Sequence, residues 1–139
     1  MLSETAFRRV VRASALYDLV ITWPFATPWS FVLVMGLLGQ LHLALGLPGS
    51  VPVFDPTHLL AGNLMGSVVV VWSLARLHLG LPILGRYDAV ARALFATWQL
   101  YAVATGASPL LLVLTVFEVG FGIAQALPLV AKNEQSIAV

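Results

Sequence analysis

Glu118 is the residue whose position most clearly calls for a chemical explanation, because it interrupts the apolar stretch that begins at Leu110. An ionised carboxylate at the centre of a lipid bilayer costs at least ~2.5 kcal/mol. Polar or small residues share its helical stripe, namely Thr115, Gly122 and Gln125. The carboxyl is therefore predicted to face the interior of a helical bundle, where burial favours the neutral acid. A neutral acid can donate a hydrogen bond or carry a proton; the alternative is a group that only ties two helices together.

Polar residues in the other apolar stretches predict a ligand pocket around this acid. His42 lies near the end of one stretch and His58 near the start of the next, so both are expected at the same level of the bundle. The predicted pocket lies in the outer half, is reached from the external side, and contains Gln40, His42, His58, Asn63, Gln99, Tyr101 and Glu118. The alternative is that each of these residues is satisfied separately between two helices.

Metal and cofactor chemistry find little support in the sequence. His42, Asp55 and His58 could meet at the outer surface, but no pair of histidines has ligand spacing, so no metal site is predicted. The chain has no cysteine, which excludes thiolate chemistry. Phosphate-binding, dinucleotide-binding and serine-nucleophile motifs are absent as well. We expect no required cofactor, although a quinone or a lipid could bind.

The composition indicates that the lipid bilayer is the main partner. The chain is 60% hydrophobic and 9% charged, with a mean hydropathy of +0.95. A net charge of +1 gives no reason to expect nucleic-acid binding. A partner membrane protein or a second copy of the chain is a further candidate partner.

These side chains would be positioned by an all-α membrane protein, an antiparallel bundle of four transmembrane helices preceded by an amphipathic or kinked helix. We predict one transmembrane domain over residues 1–139, with an N-terminal helix at about 3–23 and spans at about 29–47, 58–77, 89–105 and 110–130. Pro24 and Pro28 allow either a separate interfacial helix or one long bent helix. Gly62 and Gly66 are predicted to pack the first two spans together, in preference to forming a dimer interface.

The basic residues predict the orientation. All seven, Arg8, Arg9, Arg12, Arg76, Arg86, Arg92 and Lys132, lie in the N-terminal segment, the middle connector or the C-terminal tail. The positive-inside rule then places both termini in the cytoplasm and the Asp55 loop outside, in a multi-pass protein of the bacterial inner membrane. Asp18 is expected to form a salt bridge with Arg12 or Arg92 at the cytoplasmic boundary. No signal-peptide cleavage site follows the first apolar region, so the whole chain is expected to be mature protein.

Three features resemble the DoxX-like group of small four-helix bacterial membrane proteins: the N-terminal helix with its arginines, the sequence Phe54-Asp55-Pro56-Thr57-His58, and the glycine-containing segment from Leu60 to Gly66. The resemblance covers most of the chain and is architectural. It implies a role linked to quinone or respiratory chemistry, or an accessory subunit.

Two classes of function compete, and the sequence leaves open whether the protein is an enzyme. The first is a binding or accessory subunit that holds a lipophilic ligand, a quinone or a lipid, or a partner membrane protein. The second is a quinone-linked oxidoreductase or isomerase-like enzyme, with Glu118 as proton carrier and His42 or His58 assisting. A proton-coupled transporter built on Glu118 is a third alternative.

Overall fold

The computed structural model describes residues 1–129, which form five α-helices and no strand. Their bounds are Glu4–Thr22 (α1), Pro28–Ala44 (α2), Pro56–Leu79 (α3), Pro82–Ala104 (α4) and Leu111–Ala126 (α5), and a short 3₁₀ turn, Trp23–Ala26, joins α1 to α2. The all-α prediction is therefore confirmed for this part of the chain. Residues 130–139, with Lys132 and the expected end of the last span, lie outside the described residues.

The two prolines near the N-terminus divide the first helical region into separate helices. Pro24 lies in the 3₁₀ turn, and Pro28 is the first residue of α2, where a missing N–H costs no hydrogen bond. The side chain of Thr27 caps α2 by accepting a hydrogen bond from the N–H of Ser30 at 3.4 Å. Because α1 and α2 meet at 104°, the first region is two helices at a sharp angle.

The middle of the chain is more helical than expected. Asp55 caps α3 by accepting hydrogen bonds from the N–H groups of Thr57 and His58. Gly80 then ends α3 with a φ of 60°, a conformation that glycine adopts without strain. Helix α4 begins at Pro82 and not near residue 89, because a proline suits the first turn and nothing after it breaks the helix. The expected connector is therefore a tight turn.

Two helix pairs provide most of the packing. Helices α4 and α5 form the most extensive contact, a hairpin closed at residues 105–110, and α1 packs along α3. The 3₁₀ turn crosses α3 at Gly66, where an added Cβ would lie 2.7 Å from the carbonyl oxygen of Phe25. An added Cβ at Gly62 would lie 2.6 Å from the ring of Phe31. Both glycines therefore serve packing within the chain, as predicted.

Burial in this protein is inverted relative to a water-soluble fold. The buried apolar side chains among the described residues are Phe7, Val11, Ala15, Phe31 and Ala96. Buried polar and charged side chains outnumber them, and large apolar residues line the outside of every helix. One helix, α3, is long and apolar enough to cross a membrane, and α1 with α2 would make a second if counted as one bent span. Helix α5 is apolar but shorter.

Candidate functional site

Five charged side chains meet in the interior, between α1, α3, α4 and α5. They are Asp18, Arg76, Asp88, Arg92 and Glu118, and we call them the charge cluster. Every one is at most 8% exposed. Arg76 is three residues from the end of α3, so the charge cluster lies towards the end of the bundle that carries the α3–α4 turn. A buried charge is tolerated only when it is paired and hydrogen-bonded, and these side chains satisfy that condition mutually.

Arg92 is the centre of the charge cluster. Its guanidinium donates to Asp88 at 3.0 Å, to Glu118 at 2.8 Å and to Asp18 at 2.6 Å. It also donates to the hydroxyl of Ser14 at 2.7 Å. The planar fork of donors on arginine allows one side chain to tie α1, α4 and α5 together.

Arg76 adds α3 to the same network. Its two terminal nitrogens contact Asp18 and Asp88, each at 2.5 Å, and it is completely buried. Ser73, one turn earlier on α3, accepts a further hydrogen bond from it at 3.2 Å. The Nε of Arg76 has no hydrogen-bond partner within residues 1–129. Each carboxylate of α1 and α4 is thus shared between both arginines, which makes removal of either arginine costly.

Neutral polar groups complete the network. The hydroxyl of Ser14 donates to Asp88 at 3.0 Å and accepts a hydrogen bond from the amide of Gln125 at 2.9 Å. Trp72 donates its indole N–H to the other oxygen of Asp88 at 3.0 Å. Tyr17 stacks on Phe117, with ring centroids 4.8 Å apart. These contacts fix the rotamers of the charged groups, so the charge cluster is held in place before any ligand binds.

Two cavities reach the charge cluster from the side of the bundle. The first, of about 170 Å³, lies between α3 and α4 and ends on Asp18, Asp88, Arg92 and Glu118. Its apolar walls come from Met65, Val68, Val69, Trp72, Ala91 and Phe95. The second, of about 280 Å³, lies between α4 and α5 and also contacts Arg92 and Glu118. A dry apolar cavity of about 150 Å³ holds a benzene molecule, so each has room for one ring.

The expected pocket residues of the first two spans form separate contacts. The ring Nδ1 of His42 pairs with the hydroxyl of Ser108 at 2.9 Å, and both side chains are buried. His58 is exposed and pairs with Asp55 at 2.6 Å within the same turn. Gln40 is exposed on α2. Within residues 1–129, neither histidine has a hydrogen bond to Glu118, so the geometry lends no support to a shared acid–base site.

The remaining expected residues are also dispersed. Asn63 donates to the carbonyl of Phe25 at 2.8 Å and so secures the 3₁₀ turn against α3. Gln99 accepts a hydrogen bond from Thr115 at 2.8 Å, which ties α4 to α5. Tyr101 is 64% exposed. The contacts of Asn63 and Gln99 are of the kind described by the alternative stated above, in which a polar residue is satisfied separately between helices.

Glu118 does face the interior, as its helical stripe predicts. Thr115, Glu118 and Gln125 are the buried residues of α5. The partner of Glu118 is Arg92. The sequence pattern treats Arg92 and Arg76 as signals of how the chain is oriented in the membrane. Two of the seven basic residues, Arg76 and Arg92, therefore form buried ion pairs in the interior. Asp18 pairs with Arg92, one of the two partners expected for it.

The spacing of Asp88 and Arg92 was a signal for this site, since residues four apart share a helix face and pair at 3.0 Å here. Asp18 and Arg76 offered no comparable local signal, because their meeting depends on how α1 and α3 pack. Within the described residues, no group of three or more histidine, aspartate or glutamate side chains is arranged to hold a metal ion.

The fold and the site together define a helical protein with an apolar exterior and a buried, charge-paired interior. None of the protein-family profiles, curated proteins or solved structures compared with this chain matches it.

Proposed function

We propose that this chain is a multi-pass protein of the bacterial inner membrane that binds a lipophilic ligand, a quinone or a lipid, between α3 and α4. The observation that carries the proposal is the cavity whose walls are apolar and whose end is the charge cluster. A ligand with a polar head and an apolar tail would match both parts of that surface. Its tail would extend into the bilayer, since large apolar residues such as Val68 and Leu64 are exposed on this side of α3.

The inverted burial supports the membrane setting. In water, an exterior with this many exposed leucines, valines and tryptophans would aggregate, whereas in lipid it is the stable surface. The ion pairs have the opposite requirement: they are satisfied only within the bundle, away from lipid. We propose four spans, formed by α2, α3, α4 and α5, with α1 packed against them and both termini in the cytoplasm.

The orientation can be tested because the natural chain has no cysteine. Single cysteines at Ser3 and Ser50 would be labelled in intact cells with a membrane-impermeant maleimide. We expect labelling at position 50 in intact cells, and at position 3 only after the membrane is opened. Equal labelling at both positions in intact cells would contradict the proposed orientation.

The ligand can be tested by native mass spectrometry of protein extracted in a mild detergent. The proposal predicts a bound quinone or lipid on the wild-type protein. Replacement of Ala91 by tryptophan would fill the cavity between α3 and α4 and should remove that mass. Ala61→Trp, on an exposed position of the same bundle, is the matched control and should retain it. Retention of the same ligand by both variants would place it outside this cavity.

The resemblance to the DoxX-like group indicates which ligand and which partner to look for. If the resemblance reflects common descent, the ligand would be a respiratory quinone or the protein would be a subunit of a larger membrane complex. Cross-linking in membranes before extraction would reveal such a partner.

A further inference from the structure

The charge cluster contains one more negative group than positive ones. Asp18, Asp88 and Glu118 provide three carboxylates, and Arg76 and Arg92 provide two guanidiniums. With all five ionised, the described interior carries a net charge of −1. An uncompensated buried charge is costly, so the site favours the uptake of one positive charge.

Among the residues that line the cavity between α3 and α4, the unused hydrogen-bonding capacity has the same sign. Within residues 1–129, the contacts of Asp18 go to its Oδ2 and the contact of Glu118 goes to its Oε2. Their other carboxylate oxygens, Oδ1 and Oε1, accept no hydrogen bond in that part of the chain, and both residues line the cavity between α3 and α4. The buried unpaired groups of Tyr17, Arg76 and Gln125 belong to residues that do not line this cavity. The Oδ1 of Asp18 and the Oε1 of Glu118, beside the cavity, therefore lack hydrogen-bond donors in the described part of the chain.

The walls of the cavity suit a cation as well. Trp72 and Phe95 both line it, and aromatic faces attract ammonium groups. Trp72 already lies beside a cation, since the guanidinium of Arg76 is 5.9 Å from its ring centre. A ring-bearing amine would place its ring among the apolar side chains and its nitrogen near the two carboxylates.

From this geometry we propose that the cavity between α3 and α4 selects a lipophilic amine, whose ammonium group binds between Asp18 and Glu118. This inference rests on the proposed function and specifies the ligand class: a cationic head in preference to a neutral one such as a quinone. The ammonium supplies the missing donors and the missing positive charge together.

Without the amine, we expect the charge cluster to take up one proton from solvent, which balances the charge of the third carboxylate. The groups that face Glu118 are Tyr17 and Asp18 of α1 and Asp88 and Arg92 of α4. Arg76 of α3 joins the network through the two aspartates. Binding of an ammonium then displaces this proton from the charge cluster to solvent. The amine keeps its own protons, so one positive charge enters as one leaves.

The test compares two probes that differ only in the head group, para-butylbenzylamine and para-butylbenzyl alcohol, with wild-type protein in a non-ionic detergent. Isothermal titration in two buffers with different enthalpies of ionisation measures affinity and proton exchange together. We expect the amine to bind about tenfold or more tightly than the alcohol. We also expect release of about one proton per amine bound at neutral pH, and none for the alcohol.

Two variants test whether the preference for the amine and the proton release depend on Glu118. Glu118→Gln leaves two carboxylates against two guanidiniums and should abolish both the preference for the amine and the proton release. Glu4→Gln removes the same charge from an exposed side chain and should change neither. If Glu118→Gln does not fold, Asp18→Asn removes one of the two unused acceptors and should lower the preference as well. The comparison of the two probes on wild-type protein depends on no variant.

The outcomes separate this inference from the proposed function. Equal binding of both probes without proton exchange overturns the amine inference and leaves the lipophile-binding function in place. Binding of neither probe, together with no ligand by mass spectrometry, overturns both. A preference for the amine that persists in Glu118→Gln overturns the inference, because the ammonium then binds elsewhere.

Discussion

Removal of the guanidinium of Arg92 should destabilise the protein more than any other single change in the charge cluster. Arg92→Met keeps a long apolar stem and deletes four donor contacts, to Ser14, Asp18, Asp88 and Glu118, at 2.6–3.0 Å. One ion pair at about 4 Å has a Coulomb energy of about 4 kcal/mol at an effective dielectric constant of about 20. Desolvation offsets much of that attraction while the pair is intact. Removing one partner of a buried pair nevertheless costs about 3–5 kcal/mol, because the other charge stays buried.

The assay is reversible unfolding in mixed micelles, followed by circular dichroism as the denaturing detergent increases. We expect Arg92→Met to lose about 3–5 kcal/mol. Arg9→Met is the control, since Arg9 is exposed and the same change should cost less than about 0.5 kcal/mol. Adding Glu118→Gln to Arg92→Met should cost less than the sum of the single changes by at least ~1 kcal/mol, because Glu118 is the carboxylate that loses its ion-pair partner, whereas Asp18 and Asp88 still contact Arg76. Strict additivity, or a loss equal to that of Arg9→Met, would refute the structural role given to the charge cluster.

Three further predictions follow from other contacts. Gly66→Ala should cost about 1–3 kcal/mol of stability, because the new Cβ would lie 2.5–2.8 Å from the backbone of Phe25 and Ala26. Gly120→Ala is the control and should cost less, because its Cβ would meet nothing within 4 Å. Equal stability of the two variants would contradict this packing. Replacing His42 by alanine should cost about 1–3 kcal/mol, because the buried hydroxyl of Ser108 loses its side-chain partner and keeps the longer hydrogen bond, at 3.3 Å, from the N–H of Leu110. A double-mutant cycle with Ser108→Ala should show coupling, and independent effects would mean that the contact does not form. The N–H of His58 and then its side chain lower the pKa of Asp55 below its usual value, so the cap stabilises α3 at neutral pH and is lost as the pH falls through that lowered pKa. Titration of the Asp55 carboxyl carbon by nuclear magnetic resonance should give a midpoint below that of an unstructured aspartate, and a midpoint at or above that value would contradict the cap.

The local elements of the fold could be predicted because their signals are local. Proline and glycine mark the ends of α2 and α3, and Asp55, which precedes α3, is a residue type that commonly caps a helix. The predicted span starts later than helix α4 does, because Pro82, Gly85, Arg86 and Arg92 are typical of a basic connector. A basic residue signals a connector only if its charge is solvated, and here Arg92 is buried.

The sequence placed Glu118 in the interior and offered Arg92 as a partner of Asp18, but it did not bring the five members of the charge cluster together. The burial of Glu118 follows from a stripe on one helix, whereas its partner Arg92 belongs to another helix and was assigned to the cytoplasmic surface. An arginine near a predicted helix end can either project into the headgroup region or turn inwards to a carboxylate. The choice depends on tertiary packing, because Asp18 on α1 and Arg76 on α3 meet it from elements distant in sequence. The external-side pocket failed to assemble for the same reason: equal depth in the sequence pattern does not bring side chains together.

The binding of a lipophile beside the charge cluster is the central claim, and photolabelling in membranes tests it most directly. A probe with a single ring, an alkyl tail and a diazirine would be activated in membranes that contain the wild-type protein. The adducts would then be mapped by peptide mass spectrometry, with and without an excess of the unreactive parent compound. The account predicts competed labelling at Met65, Val69 and Phe95, which line the cavity between α3 and α4. Labelling that is not competed, or that is as strong on exposed positions of α2 such as Leu37, would contradict it.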